Sequence, residues 1–159
     1  MGIFGPAINN HLSASLLLIK KMLDGKMKGC PRIYFGVVDV RDVAQLHLIA
    51  MTHSQAVNQR FLATSGCCLS LHDVAMILKN KLGTAAINVP VNEIPDEQII
   101  QAAATDVEAR QTVSNLGVIR NARSDKAITL LNWQPGTAED AILASARSIL
   151  NLCNTEAGK

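Results

Sequence analysis

Apolar residues recur with the period of an α-helix between residues 70 and 82. Five of them follow the spacing of one helix face: Leu71, Val74, Ala75, Leu78 and Leu82. Ser70 and Asp73 have the spacing of a capping box, in which each side chain accepts a hydrogen bond from the backbone N–H of the other residue. Gly83 stands where helices commonly end in a glycine. The pattern therefore predicts a helix over residues 70–82.

Five further segments have helical character, and several of them begin or end next to a proline or a polar residue. Pro95 precedes one predicted helix, and Asn132 follows another. Thr137 and Asp140 repeat the capping box before the last helix. This last helix is expected to turn one apolar face inward, made of Ala138, Ala141, Ile142, Ile149 and Leu152. The predicted helical segments are 12–23, 40–51, 96–104, 125–131 and the stretch that follows Thr137.

Short apolar runs lie between the predicted helices and have the character of strands. They cover residues 3–4, 33–38, 60–64, 87–89 and 118–120. Each run is brief and continuously apolar, which is typical of buried parallel strands or of small two-stranded ribbons. The pattern predicts a helix-rich α/β structure with a few short strands.

Composition and charge narrow the class of protein. The chain has 159 residues, of which 48% are apolar and 18% charged, and these values are typical of one soluble globular domain. A net charge of +2 argues against a nucleic-acid or membrane-surface partner. No apolar run is long enough for a membrane span, and the N-terminus lacks a signal-peptide pattern, so a cytoplasmic location is expected. The four cysteines lack the spacing of a metal site.

The stretch VVDVRDVA places three charged residues inside an apolar run that extends from Ile33 to Met51. Local backbone chemistry explains them if a strand ends near Val38 and a helix follows. Asp39 would then cap the helix by accepting a hydrogen bond from the backbone N–H of Asp42, while Arg41 pairs with either acid. The predicted inward face of this helix consists of Val43, Leu46, His47, Ala50 and Met51.

The same stretch, continued as VVDVRDVAQLHLIAM, is similar to a motif in the C-terminal half of the extended short-chain dehydrogenases. Four other segments resemble that family in the same order: GIFGPAINNHLSASLLLIKKMLDG, RFLATSGCCLSLHDVAMIL, SDKAITLLNWQP and AEDAILASARSIL. The group that they resemble most contains the dihydroflavonol reductases and the cinnamoyl-CoA reductases. One departure is Asn132, which stands where the family has a glycine. Asparagine tolerates the left-handed backbone of a helix end next best, so the fold is expected to survive.

Two motifs of the family are missing from this sequence. It has no GxxGxxG turn to hold a pyrophosphate, and its only tyrosine, Tyr34, is followed four residues later by Val38 instead of lysine. The resemblance therefore implies that residues 1–159 form one C-terminal substrate-binding region of an extended Rossmann-type short-chain dehydrogenase, with the N-terminal dinucleotide-binding half absent. The full-length parent would reduce an aldehyde or ketone with NADP or NAD. The isolated chain is expected to be inactive and to bind the cofactor weakly.

The resemblance also suggests a small set of site residues. Ser15 aligns with a serine that contacts the cofactor phosphates in the family, although an exposed helix serine is an equal interpretation. Gly36 and Val37 are candidates for lining the substrate pocket. No residue is predicted to be catalytic or to bind a metal. In particular, His47 is expected to be a partly buried core histidine instead of a general base.

Two alternative functions remain open. The first is a fragment of a nucleotide-sugar epimerase or dehydratase, but the sequence lacks the arginine-rich nucleotide-binding loop expected after the strand at Ile33. The second is a truncated, non-catalytic protein that self-associates. In that case the strands at Ile3 and Arg60 would have unpaired edges, which invite pairing with another chain and the formation of a homo-oligomer.

Overall fold

The computed structural model describes residues 1–157, and its helices surround three pairs of short strands. The strands are β1 (Gly2–Phe4), β2 (Cys30–Pro31), β3 (Tyr34–Phe35), β4 (Val37–Asp39), β5 (Leu69–Ser70) and β6 (Glu93–Ile94). The α-helices are α1 (Ala14–Leu23), α2 (Val40–Thr52), α3 (Leu71–Leu82), α4 (Asp96–Ala102), α5 (Val107–Val113), α6 (Asp125–Leu131) and α7 (Ala138–Ala157). Short 3-10 helices cover Ser54–Ala56 and Gly83–Ala86. Within the described residues, no helix is both long and apolar enough to cross a membrane.

The strands form three separate two-stranded ribbons. β1 pairs with β4 in parallel, so that Gly2 lies opposite Val37 and Phe4 lies opposite Asp39. β2 and β6 are also parallel, whereas β3 and β5 are antiparallel. The predicted helix-rich α/β class, with short parallel or ribbon-like strands, is therefore confirmed.

The larger core lies where α1 and α3 pack against α7. The side chains that fill it are fully or almost fully buried, and they include Ile19 and Met22 of α1, Val74 and Leu78 of α3, and Ile142 and Ile149 of α7. Val74, Leu78, Ile142 and Ile149 belong to apolar faces that the helical periodicity predicts. Removing such faces from water is the main favourable contribution to folding, since each large aliphatic side chain contributes about 1.5–3 kcal/mol.

A smaller core surrounds Trp133, which is completely buried. Leu46 of α2 and Leu131 of α6 pack with it. The indole Nε1–H donates a hydrogen bond of 3.0 Å to the backbone carbonyl oxygen of Asp42. This bond satisfies the buried polar atom of the ring and ties the segment after α6 to the first turn of α2.

β4 separates the two cores. Successive side chains of a strand point to opposite faces, so Val37 packs into the larger core and Val38 into the smaller one. Both valines are 0% exposed. The continuous apolar sequence of this strand follows from burial on both faces.

The predicted helix ends are confirmed by local hydrogen bonds and backbone angles. Asp73 N–H donates to Ser70 Oγ over 3.0 Å, and Ser70 N–H donates to an oxygen of the Asp73 carboxylate over 2.8 Å. Gly83 ends α3 with a φ of +53°. Asn132 ends α6 in the left-handed region, with a φ of 50° and a ψ of 34°. Asparagine therefore serves at this helix end where the family has glycine.

Three of the predicted strands are wrong. Residues 87–89 and 118–120 lie in turns or irregular loops, where Ile87 and Ile119 are exposed. Residues 60–64 run beside β4 but do not form a ladder with it, because Thr64 N–H donates to Ser124 Oγ instead of to a strand. The apolar composition of these segments was not sufficient to specify strand pairing.

Three short strands and one short α-helix were not predicted from the sequence. β2, β5 and β6 have two residues each, which is too short for a recognisable period. α5 has seven residues and begins after Asp106, whose carboxylate accepts hydrogen bonds from the N–H groups of Glu108 and Ala109. An aspartate at this position is a helix-start signal that could have revealed α5.

Replacing Ser145 with alanine should destabilise the protein by about 1–3 kcal/mol, because a buried backbone N–H would lose its acceptor. Ser145 is 0% exposed, and its Oγ accepts a hydrogen bond of 2.7 Å from Gly5 N–H. Urea denaturation followed by the fluorescence of Trp133, the only tryptophan, would measure the change. The control is Ser114→Ala at an exposed helix end, for which we expect a change within about 0.5 kcal/mol. An equally small effect at Ser145 would contradict the expectation.

Candidate functional site

The carboxyl ends of β1 and β4 meet at one edge of their parallel ribbon. From this edge, β1 continues into the loop of residues 5–13, while β4 continues directly into α2. Ligands of α/β proteins commonly bind outside the carboxyl ends of parallel strands, because loops and helix starts converge there. This edge of the ribbon is therefore a candidate binding site.

Gly5 allows the chain to turn sharply at the end of β1. Its φ is +128°, a region that residues with a side chain rarely adopt. A Cβ atom at this position would lie 2.8 Å from Cγ1 of Val40 and 3.1 Å from a carboxylate oxygen of Asp39. Glycine therefore permits both the turn and the close approach of the loop to the start of α2.

Two serines of α7 hold this loop in place. Gly5 N–H donates to Ser145 Oγ, as described above, and Ala7 N–H donates to Ser148 Oγ over 2.8 Å. The loop backbone is thereby attached to the longest helix of the protein. A loop fixed in this way can form one wall of a binding site.

A cleft of about 650 Å³ opens above the loop, and we call it the turn cleft. It is lined by β1, by most of the loop, by the first turn of α1 and by Met1 and Val40. The predicted cofactor residue Ser15 lies in its wall, half-buried, with no hydrogen bond from its hydroxyl to the described residues. His11 also lines the cleft and is exposed.

Asp39 caps α2, but its hydrogen bonds differ from the predicted ones. Its carboxylate accepts from Arg41 N–H over 2.8 Å and from the Arg41 guanidinium over 2.9 and 2.7 Å. The predicted bond from Asp42 N–H is therefore wrong, because the carboxylate turns toward Arg41. The carboxylate of Asp42 instead accepts a hydrogen bond from Gly136 N–H over 2.9 Å.

The environment of Asp39 lowers the pKa of its carboxyl group. The side-chain hydrogen bonds from Arg41 have the largest effect, and they outweigh the partial burial that acts in the opposite direction. The Asp39 side chain is 5% exposed, whereas that of Arg41 is 63% exposed. A carboxylate that is held in its charged form by hydrogen bonds within its own turn acts as a structural cap.

The inward face of α2 is shifted from the predicted one. His47 is exposed, and its Nδ1 lies 2.8 Å from the Val43 carbonyl oxygen of the preceding turn. Met51 is 80% exposed. The prediction that His47 is a partly buried core residue is wrong, because the face that packs inward is centred on Leu46 and Ile49.

The predicted substrate residues lie away from the turn cleft. Gly36 is buried between β3 and β4, and its carbonyl oxygen accepts a hydrogen bond from Gly2 N–H over 2.8 Å. A Cβ on Gly36 would lie 3.1 Å from Thr64 Oγ1, so the site leaves little room for a side chain. Val37 is fully buried in the larger core. Neither residue lines the turn cleft.

A second cavity, of about 480 Å³, lies beside the residues that precede Gly36, and we call it the Tyr34 cavity. One side is formed by Met1 and by Ile33, Tyr34 and Phe35. The opposite side is polar and consists of Glu108, Gln111, Thr112, Asn115 and Arg120. The sequence interpretation missed this polar side. The unpredicted helix α5 supplies part of it, and nothing near Arg120 in the sequence indicates proximity to Tyr34.

Comparisons with known proteins give several distant matches, although no family model matches the chain. The chain is 30% identical over 97 residues to the NADPH-dependent methylglyoxal reductase Gre2 of Saccharomyces cerevisiae. The match covers 57% of this chain and 28% of the yeast protein. The chain therefore spans well under half the length of this curated relative.

Solved structures give matches over a larger part of the chain. The crystal structure of yeast methylglyoxal/isovaleraldehyde reductase Gre2 with NADPH matches with a TM-score of 0.68 and 22% identity, over 96% of this chain and 42% of that one. A UDP-glucuronic acid 4-epimerase of Bacillus cereus matches with a TM-score of 0.63 and 19% identity, over 95% of this chain and 43% of that one. At these identities, the structural matches show the fold alone.

The cap at Asp39 should make stability depend on pH. Because the folded pKa of this carboxyl lies below its ordinary value, the cap stabilises the protein fully above that value and loses its effect as pH falls through the folded pKa. Asp39→Asn should therefore cost about 1–3 kcal/mol near neutral pH, and the difference from the parent protein should shrink toward pH ~3. Urea denaturation at both pH values would measure it.

The matched control is Asp125→Asn, which changes an acid with a side chain that is 62% exposed and pairs with the exposed Arg123. For this exposed pair we expect a loss within about 0.5 kcal/mol. A cost at Asp39 that stayed the same down to pH ~3 would mean that the charged carboxylate does not cause the stabilisation.

Proposed function

We propose that the chain is a distant homologue of part of the Gre2-like extended short-chain dehydrogenases/reductases, in the NAD-dependent epimerase/dehydratase superfamily, and that it forms the substrate side of an NADPH- or NADH-dependent carbonyl reductase. In this proposal it contributes walls of the substrate pocket and part of the cover over the cofactor. The observation that carries the proposal is the anchored loop and turn cleft at the carboxyl ends of β1 and β4.

The first turn of α1 fits a phosphate-bearing cofactor. Ser13 precedes this ten-residue helix, and its side chain makes no capping hydrogen bond, so the first N–H groups of the helix are not taken by it. Free N–H groups and the helix dipole favour a negatively charged group at a helix start. Ser15 would add a hydroxyl donor at the same place. The cofactor, when bound, would supply the hydride for carbonyl reduction.

The substrate side of the proposal rests on the strand residues before α2. Gly36 would contribute only backbone beside the pocket, because a Cβ atom at this position would lie 3.1 Å from Thr64 Oγ1. Val37 would support the pocket wall from within the core, because it has no exposed surface with which to touch a substrate directly. The residues that precede them, Tyr34 and Phe35, face an open cavity and extend the proposed pocket.

This chain would bind and orient the substrate and exclude water, without performing the chemistry. Its sequence has no GxxGxxG turn and no Tyr-x-x-x-Lys pair, so proton transfer to the carbonyl oxygen would come from residues of a dinucleotide-binding half. On this basis the isolated chain would be inactive and would bind NADPH with a dissociation constant in the millimolar range or weaker.

A chimera tests the proposal. The part of yeast Gre2 that precedes its aligned segment would be fused to this chain, and NADPH-dependent reduction of methylglyoxal would be measured. We expect activity, and we expect Ser15→Ala to raise the KM for NADPH about tenfold, which corresponds to the loss of one hydrogen bond to a charged group. Ser54→Ala, at an exposed serine outside the turn cleft, should leave this KM unchanged.

Two results would contradict this proposal. An unchanged KM in the Ser15→Ala chimera would remove Ser15 from the cofactor contacts. Micromolar binding of NADPH to the isolated chain would show that it needs no second half to hold the cofactor. Isothermal titration of the isolated chain with NADPH would measure that affinity.

Self-association is a second candidate function, and the free edge of β1 favours it. Among the described residues, β1 pairs only with β4, and Ile3 in its centre is 45% exposed. An unpaired strand edge with an apolar side chain invites pairing with another chain. The second edge expected for this function, at Arg60, does not exist as a strand, so only β1 supports it.

Size-exclusion chromatography with light scattering separates this candidate from a monomer. If the edge of β1 mediates association, the parent chain should elute as a dimer or larger species, and Ile3→Lys should elute as a monomer because a charge would be buried at the edge. The control is Ile87→Lys, in a turn where the side chain is already 71% exposed. A monodisperse monomer of the parent chain would argue against self-association.

A further inference from the structure

We propose that the Tyr34 cavity recognises the carboxylate of an oxo-acid substrate through Arg120. This inference rests on the proposed function and deepens it, because it names the chemical class of the carbonyl compound. Three observations support this: the charge balance of the cavity, the hydrogen bond that the Arg120 guanidinium makes to Asn115, and the apolar residues in the same cavity.

The cavity contains one acidic and one basic side chain, and only the acidic one has an ionic partner. Both carboxylate oxygens of Glu108 accept hydrogen bonds from Lys21 Nζ, over 2.8 and 3.1 Å. No carboxylate among the described residues forms a salt bridge with Arg120. Its guanidinium donates one hydrogen bond, to the side-chain oxygen of Asn115 over 3.1 Å. Among the side chains that line this cavity, Arg120 therefore supplies the available positive charge.

Two hydrogen bonds from Cys68 contact the backbone and the neighbouring side chain at Arg120. The Cys68 thiol donates to the Arg120 carbonyl oxygen over 3.0 Å. Cys68 N–H donates to the side-chain oxygen of the next residue, Asn121, over 3.3 Å. The hydrogen bond to Asn115 then restricts the guanidinium itself. A planar guanidinium with most of its N–H groups free matches the two oxygens of a carboxylate.

The apolar residues of the cavity suit the part of such a substrate that carries no charge. Ile33 and Phe35 are half-buried and apolar, and Phe35 stacks against Phe4 with 6.0 Å between the ring centroids. Tyr34 adds a phenolic hydroxyl that makes no hydrogen bond with the described residues. An apolar body beside the aromatic rings and a carboxylate at Arg120 would satisfy both sides of the cavity.

The position of the cavity connects this recognition to the proposed reaction. Met1 lines both the Tyr34 cavity and the turn cleft. A substrate with its carboxylate at Arg120 can extend past Met1 toward the cleft, where the proposed cofactor cover lies. Arg120 would then be a specificity-determining residue that fixes one end of the substrate.

Tyr34 provides a direct readout, because it is the only tyrosine in the chain. The chain would be prepared with isotope-labelled tyrosine, and its single ring signal followed by NMR during titration. The probes are phenylglyoxylate, an aromatic oxo acid, and 1-phenyl-1,2-propanedione, in which a methyl group replaces the charged oxygen. We expect phenylglyoxylate to shift the Tyr34 signal and to bind about tenfold more tightly than the diketone.

The matched variants are Arg120→Gln and Arg123→Gln. Arg123 is also exposed, lies three residues further along the chain and pairs with Asp125 outside the cavity. Arg120→Gln should lower the affinity for phenylglyoxylate about tenfold and leave that for the diketone unchanged. Arg123→Gln should alter neither affinity. Equal binding of the two ligands by the parent chain, an unshifted Tyr34 signal, or an Arg120→Gln variant with undiminished phenylglyoxylate affinity would each overturn the inference.

The chimera described above distinguishes failure of this inference from failure of the proposed function. A chimera that reduces the diketone as efficiently as phenylglyoxylate would retain the function and overturn the carboxylate recognition. Arg120-dependent binding of phenylglyoxylate by the isolated chain, together with a folded but inactive chimera, would uphold the recognition and contradict the reductase function.

Discussion

The burial of β4 on both faces is the constraint on which the rest of the structure depends. Val37 and Val38 have no exposed surface, and they belong to different cores because neighbouring side chains of a strand point in opposite directions. The strand therefore couples the α1, α3 and α7 core to the Trp133 core. Its end is equally restricted, since Asp39 must turn the chain into α2 with its carboxylate almost completely buried. A shift of one residue in this strand would exchange both faces and displace the cap.

The candidate site follows from this strand because β1 is parallel to it. The parallel register brings the carboxyl end of β1 next to Asp39, and Gly5 fits there only because it lacks a side chain. Ser145 and Ser148 then attach the loop to α7, which is itself packed in the larger core. The turn cleft is thus supported by buried contacts, although the loop that forms it is largely exposed. This arrangement agrees with a wall over a bound cofactor, where a loop must be held in one geometry.

Two cavities share Met1 as a lining residue. In our proposal one of them binds the cofactor and the other binds the substrate. The turn cleft offers a helix start and a serine hydroxyl, which suit a phosphate, whereas the Tyr34 cavity offers aromatic walls and a guanidinium. The solved Gre2 structure with NADPH shares the fold of this chain over 42% of that structure's own length.

The sequence by itself determined the features that depend on neighbours along the chain. The helix at residues 70–82 was predictable from its period and from Ser70 and Asp73, because a capping box is formed within one turn. The left-handed helix end at Asn132 was also predictable from the sequence. The family resemblance could be recognised because several motifs in the same order remain recognisable in distant relatives. Asp39 was recognised as a cap, but its partner was misassigned, because two N–H groups and a guanidinium compete for one carboxylate within reach of a single turn.

Only the tertiary structure decided the features that depend on distant partners. The two-residue strands β2, β5 and β6 exist because another segment pairs with them, while residues 60–64 remain irregular because Ser124 Oγ takes the Thr64 N–H. The exposure of His47 followed from which side of α2 faces Trp133. The Tyr34 cavity joins Tyr34 to Arg120 across a large part of the chain. The local sequence does not indicate that Tyr34 and Arg120 lie close together, because their proximity results from the packing of whole helices and strands.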